Sequence, residues 1–149
     1  MSHPFRYLLR VRYSECDAQK VVFNARYGEY VDLAVTEFIR AIGYGEKLFG
    51  GEWDFQLVKQ TIEWKAPARF DDVLEVSVFS VHLGTTSFTL RSQVRIAGRE
   101  KLISEAETVY VVVDEDLKKK AISDDLRILL ERGAPGVITN HAGYDSGDY

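Results

Sequence analysis

Asp17 is the residue of this chain best placed to do chemistry. It stands in a turn between a strand and a helix with an apolar face, in the stretch Tyr13-Ser14-Glu15-Cys16-Asp17-Ala18-Gln19-Lys20-Val21-Val22-Phe23-Asn24. Flanking elements fix a carboxylate at such a point, and the positive end of the helix dipole lies close by. A carboxylate there can take a proton from water or attack an acyl carbon itself. It can also be a plain turn aspartate, since Asp favours such loops. Glu15 lies two positions earlier, which in extended chain puts both carboxylates on one side. It reads either as half of an acid/base pair or as a glutamate paired with an arginine. Tyr13 reads as an orienting hydroxyl for Asp17 or as the core residue that closes the strand. Asn24 does not titrate near neutral pH, but it can hold a water or a carbonyl oxygen, or cap the helix. Backbone N–H groups in the first helical turn lack intrahelical partners and suit a developing negative charge. Cys16, between two acids, is a poor nucleophile candidate. His3, His82 and His141 fall in a terminus, a turn and a tail, none at metal-ligand spacing, so no metal is expected.

The elements that must position these residues are set by periodicity. Residues 6–13 alternate, with Tyr7, Leu9, Val11 and Tyr13 on one face and Arg6, Arg10 and Arg12 on the other, which predicts a half-buried strand. Residues 24–42 carry the stripe Tyr27, Tyr30, Val31, Ala34, Phe38 and Ile42, which predicts a long helix ended by Gly43. Period two returns over 55–65, 73–81, 86–96 and 101–113, with turns at 66–68, 82–85 and 97–100. Ser123 caps a short helix over 124–132, followed by Gly133. The polar remainder, 134–149, reads as a flexible tail beyond a single domain of 1–133. One long helix beside a run of strands predicts an α+β fold with the helix on an antiparallel sheet. As a bare edge, the strand 101–113 would be an aggregation hazard.

Bulk properties narrow the function. The chain has 149 residues, 46% hydrophobic and 28% charged, enough for one folded core. A net charge of −4 argues against nucleic-acid binding. One cysteine excludes an internal disulfide and fits a reducing compartment. No apolar run approaches the roughly 20 residues of a membrane span. A cytoplasmic protein without a membrane partner is expected.

Tyr13, Glu15, Asp17, Val21, Val22, Phe23, Asn24 and Tyr27 fall at the spacing aromatic-x-acid-x-Asp-x-x-x-Val-Val-aromatic-(His/Asn/Tyr)-x-x-Tyr. This resembles the signature of hotdog-fold acyl-CoA thioesterases of the 4-hydroxybenzoyl-CoA thioesterase type. The resemblance implies a hotdog fold, a long central helix wrapped by a five-stranded antiparallel sheet. It implies Asp17 as general base or nucleophile on a thioester carbonyl, with main-chain amides near Asn24 polarising that carbonyl. Tyr13, Val22, Phe23 and Tyr27 become candidates to line the acyl site. Thr85, Thr86 and Ser87 become a candidate edge for pantetheine or phosphate. Coenzyme A phosphates also need cations, for which Lys59, Lys65, Arg69, Arg91, Arg95 and Arg99 are available. Coenzyme A would be part of the substrate, and no cofactor is expected. A homodimer or homotetramer with the pocket between subunits is implied. Two positions depart from the pattern: Asn24 replaces the His of a large branch, and Lys20 stands where many relatives carry glycine. An acyl-carrier-protein thioesterase and a non-catalytic acyl-thioester binder fit the same residues. A dehydratase fits less well, because no His stands near the motif.

Overall fold

The computed structural model describes residues 3–50 and 54–145. The alternating segments pair into one sheet in the order β2-β5-β4-β3-β1-β6. Its strands are β1 (Phe5–Arg10), β2 (Asp54–Trp64), β3 (Val73–Leu83), β4 (Ser87–Ile96), β5 (Leu102–Val113) and β6 (Ile138–Asn140). All neighbours are antiparallel except β1 and β6, which run parallel. The helices are α1 (Arg26–Ala41), α2 (Gly45–Phe49) and α3 (Asp124–Arg132).

The helical stripe drives the packing. Tyr27, Tyr30, Val31, Ala34, Val35, Phe38 and Ile39 are all buried on α1. They meet Phe5, Tyr7 and Leu9 of β1 and Leu74, Val76 and Val78 of β3 in a single core. Phe5 and Phe38 meet edge-on at 5.8 Å between ring centres, a geometry worth about 0.5–1.5 kcal/mol beyond area burial. Ala34, wholly buried, lets the helix lie close to the sheet. Ser123 caps α3 as expected, its hydroxyl accepting from Leu126 N–H at 3.1 Å.

Several expectations are corrected. The sheet has six strands, not five, and the sixth lies in the segment read as a flexible tail. Its residues pair with β1: Arg6 N–H donates to Val137 O at 3.0 Å, and His141 N–H donates to Leu8 O at 2.9 Å. Ala142 and Tyr144 then pack with Leu8, Val73 and Ala97 on the side away from α1. The strand β1 is therefore covered on both faces rather than half-buried, and Arg6 is buried with Glu75 as its partner. The helix α1 spans 16 residues and is shorter than expected, because 24 and 25 form a turn before it. The strand β5 is interior, between β2 and β4. The open edge is β2, where most side chains are exposed.

Candidate active site

The chain leaves β1 through a 3-10 turn, Tyr13–Glu15. Glu15 anchors the loop beyond it. Its Oε1 accepts from Arg12 N–H at 2.7 Å and from the Tyr30 hydroxyl at 2.9 Å. Its Oε2 accepts from the Arg12 guanidinium at 3.1 and 2.9 Å. Burial pushes this carboxyl up, but the Arg12 backbone N–H, the Arg12 guanidinium and the Tyr30 hydroxyl outweigh burial and hold it below the usual carboxylate range. Burial first, and then the Glu15 carboxylate to which it donates, push the Tyr30 hydroxyl well up, so Tyr30 stays a neutral donor. Glu15 is thus the arginine-paired glutamate.

Asp17 comes next, in a tight hairpin. Its N–H donates to Val21 O at 2.9 Å, and its carbonyl accepts from Lys20 N–H at 2.9 Å. Its Oδ1 accepts from Gln19 N–H at 2.8 Å, the bond pattern of an aspartate that closes its own turn. Its Oδ2 makes no hydrogen bond among the described residues, so one oxygen stays available. Lys20 has φ 65°, the left-handed conformation that glycine adopts freely. A turn conformation that glycine suits is therefore reached here by a lysine, at some backbone strain.

The returning limb of the hairpin leads to α1. Val22 N–H donates to Ala68 O at 2.8 Å, and Phe23 N–H donates to Glu15 O at 2.9 Å. Asn24 is exposed and is not the helix cap; Ala25 holds that position with no side-chain cap bond. The Asn24 carbonyl accepts from Tyr27 N–H at 3.3 Å and from the Trp64 indole N–H at 3.3 Å. The N–H groups of Asn24 and Ala25 have no acceptor among the described residues. Beside them Val22, Asn24, Tyr27, Trp64, Ala66 and Pro67 line a cavity of about 280 Å³. Unpaired amides at a helix start, opening on a part-apolar pocket, can stabilise an oxyanion.

The other expected residues are dispersed. Asp17 does not line that cavity. Three residue steps of extended chain lead from Val21, opposite Asp17, to Asn24, roughly 10 Å at the ordinary strand rise. Tyr13 is 80% exposed and meets Phe70 edge-on, so it neither closes the strand nor enters the core. Phe23 is half exposed, while Val22 and Tyr27 are buried. Burial pushes the Tyr27 hydroxyl up, so it too remains neutral. Thr85 and Thr86 lie in the β3–β4 turn and Ser87 opens β4, whereas the Asp17 loop leaves β1 beside the start of β3, where Val11 N–H donates to Asp72 O. The 11 residues of β3 put roughly 35 Å between the two within one chain. Lys59, on the open strand, pairs in register with Val109, also toward that far end. Lys65 and Arg91 are engaged with Glu63 and Glu107. Trp64 was not singled out by sequence. Its signal was a tryptophan ending an alternating strand just before Ala66-Pro67-Ala68.

Among the described residues no group of three or more His, Cys, Asp or Glu is placed to hold a metal ion, and no helix is long and apolar enough to cross a membrane.

A helix laid across an antiparallel sheet, with free amides at its start, is the arrangement of the hotdog class. Comparison with known proteins agrees. The model of the thioesterase-like superfamily matches residues 11–130. The chain is 33% identical over 111 residues to the acyl-CoA thioester hydrolase YbgC of Escherichia coli O6:H1, a match covering 74% of this chain and 82% of that protein. It is similar to the crystal structure of a hypothetical protein, AQ1494, from Aquifex aeolicus, with TM-score 0.78 and 29% identity over 85% of this chain and 99% of that one. It is also similar to the structure of the BH1999 gentisyl-coenzyme A thioesterase, with TM-score 0.75 and 25% identity over 83% and 98% of the two chains. The chain belongs to the thioesterase-like superfamily and is a thioester hydrolase of α+β hotdog architecture.

Proposed function

We propose that this protein hydrolyses the thioester of an acyl-coenzyme A, with a fatty or aryl acyl group. The observation that carries the reading is the pair of unpaired N–H groups, Asn24 and Ala25, at the pocket before α1, a short hairpin away from a carboxylate with one free oxygen. The amides take the charge that develops on the carbonyl oxygen. Asp17 then acts by one of two routes. As general base it takes a proton from water while the water oxygen bonds to the acyl carbon; the C–S bond breaks and coenzyme A leaves as its thiol. As nucleophile it bonds to the acyl carbon directly and expels the thiolate, and water then hydrolyses the mixed anhydride. Neither route uses a cofactor. Val22, Phe23 and Tyr27 supply the apolar wall for the acyl group.

In one chain Asp17 lies outside the Asn24 pocket, Thr85, Thr86, Ser87 and Lys59 lie toward the far end of the sheet, and β2 is open. A second copy joined along β2 would cover that edge and bring residues of both chains to one site. We infer a homodimer as the working unit, to be checked by light scattering.

The decisive experiment is thiol release from short, long and aryl acyl-CoAs by wild type and Asp17→Ala, with carrier-protein thioesters included. Turnover by wild type with at least a hundredfold loss in the variant is expected, the span ascribed to a positioned proton-transfer group being about 10²–10⁴. Full activity in Asp17→Ala overturns the mechanism. Tight coenzyme A binding without turnover of any thioester overturns the activity. Single turnover in H₂¹⁸O separates the routes: label appearing in the protein carboxylate marks the anhydride.

A further inference from the structure

The face of the sheet away from α1 carries a second cavity. Leu74, Val76 and Val78 point into the core, so Glu75 and Ser77, which alternate with them, point the other way. Arg6, Glu75, Ser77, Gln93, Arg95 and Arg99 line a space of about 550 Å³ there. Small-molecule sites span roughly 300–1,000 Å³ and carry a few placed polar groups, and here those groups are mainly basic. Three guanidiniums face two carboxylates, Glu75 and Glu100, in a chain whose net charge is −4.

The groups in this cavity are held rather than merely present. Arg6 and Glu75 are buried and joined at 3.3 Å, which neutralises the floor. Arg95 is fixed by two bonds, from Nε to Glu100 O at 3.1 Å and from Nη2 to Gln93 Oε1 at 3.3 Å. Gln93 is fixed in turn by its Nε2 bond to Glu105 at 2.8 Å. Arg99, exposed on the turn after β4, makes no side-chain hydrogen bond or ion pair among the described residues. Ser77 is only 4% exposed, yet its hydroxyl has no partner among them either. The Ser77 oxygen is not sealed from the cavity, so a ligand there can pair with it.

We propose that this cavity is a second binding site, for the phosphate or diphosphate group of a small phosphorylated molecule, on the face of the sheet opposite the Asp17 and Asn24 site. Planar guanidiniums match phosphate oxygens, and a serine hydroxyl both donates to and accepts from them. The proposal does not depend on the hydrolase mechanism, because Asp17 and α1 lie on the other face.

Calorimetric titration of the full chain with inorganic phosphate, pyrophosphate and ADP tests it. Saturable binding of pyrophosphate or ADP is expected. Arg99→Ala should weaken it about tenfold or more, the loss of one charge-assisted hydrogen bond, and Ser77→Ala about 2–10-fold. Asp17→Ala should leave it unchanged. Arg99 is exposed on a turn, so its variant folds even where Ser77→Ala does not. Competition with coenzyme A identifies the source. Displacement of ADP that disappears in Arg99→Ala assigns the site to the nucleotide end of coenzyme A, and bound ADP that coenzyme A leaves in place assigns it to a separate phosphorylated ligand. Either result upholds the site. No binding of any of the three probes at millimolar concentration, or binding equal in wild type and Arg99→Ala, overturns it.

Discussion

Removing Glu15 should loosen the whole segment that carries the candidate site. The carboxylate accepts from Arg12 N–H, the Arg12 guanidinium and the Tyr30 hydroxyl, and its own carbonyl accepts from Phe23 N–H. It therefore ties the 3-10 turn, the hairpin return and α1 together. In Glu15→Ala the buried Tyr30 hydroxyl loses its acceptor, a cost of about 1–3 kcal/mol. The Arg12 N–H loses its bond as well, about 1 kcal/mol. The Arg12 side chain is 73% exposed, so its ion pair adds only about 0–1 kcal/mol. The expected loss is about 3 kcal/mol, or roughly 6–12 °C in Tm at this chain length. Glu15→Gln keeps an acceptor for Tyr30 but sets an amide donor against the guanidinium, and should lose about half as much. The sign of the pH effect comes from the lowered Glu15 pKa. A carboxyl held below its unfolded value of about 4.3 contributes fully above that value and loses its contribution as pH falls through the folded value. The gap between wild type and Glu15→Gln should thus shrink below about pH 4. Urea unfolding at pH 7 and pH 3, with thiol release alongside, measures both consequences. Activity should fall even at low temperature, where the variant stays folded, since small misplacement of reacting groups costs about 10²-fold. A loss under about 1 kcal/mol in Glu15→Ala, or a Glu15→Gln gap that does not change with pH, would refute the reasoning.

Local geometry sets three further outcomes. Gly28→Ala should raise Tm by about 2–4 °C, because the added methyl meets Gln60 Oε1 at an ordinary 3.6 Å and removes about 1 kcal/mol of glycine cost inside a helix; an unchanged or lower Tm would count against it. Lys20→Gly should keep or slightly raise stability by relieving the left-handed strain, while Lys20→Val should lose about 1–2 kcal/mol, both read by thermal unfolding. Trp64→Phe removes the indole donor to Asn24 O, and should cost about 0.5–1.5 kcal/mol and raise KM more than it lowers kcat.

The long helix and five of the six strands were legible because each repeats its own period over several residues. Tyr27, Tyr30, Val31, Ala34, Phe38 and Ile42 formed a stripe that only a helix could bury, and all six are buried. Asp17 was legible as a turn aspartate, and the turn bond from Gln19 N–H is the local chemistry that Asp brings to such a loop. What could not be read depended on distant partners. Three residues, Ile138–Asn140, are too few to show alternation, and their pairing with Arg6, Tyr7 and Leu8 joins opposite ends of the chain. Alternation through Tyr13 suggested a continuing strand, but the backbone turns after Arg10 with no glycine or proline to announce it. The burial of Glu15 required both Arg12 and Tyr30, and only the first is near in sequence. Asn24 looked like a cap because Asn caps well, yet a turn displaced the helix start by one residue to Ala25.

The two edges of the sheet are treated in opposite ways, and this bears on where the site is completed. At β1 the chain brings its own partner from far along the sequence, β6, and adds Ala142 and Tyr144 over Leu8. Unpaired strand edges invite uncontrolled pairing, so ending the sheet here in the three residues of β6 shortens the edge open to assembly. At β2 the backbone edge stays open along 11 residues, with Leu57, Val58 and Trp64 about half exposed. Trp64 is also the residue that holds Asn24 O and lines the pocket beside the free amides. A second copy joined along β2 would add its strand within reach of that pocket, whereas one joined at β1 would not. A chain with one short edge and one long open edge favours pairing along the long one, and this links the proposed dimer to the proposed catalytic site through a single residue, Trp64.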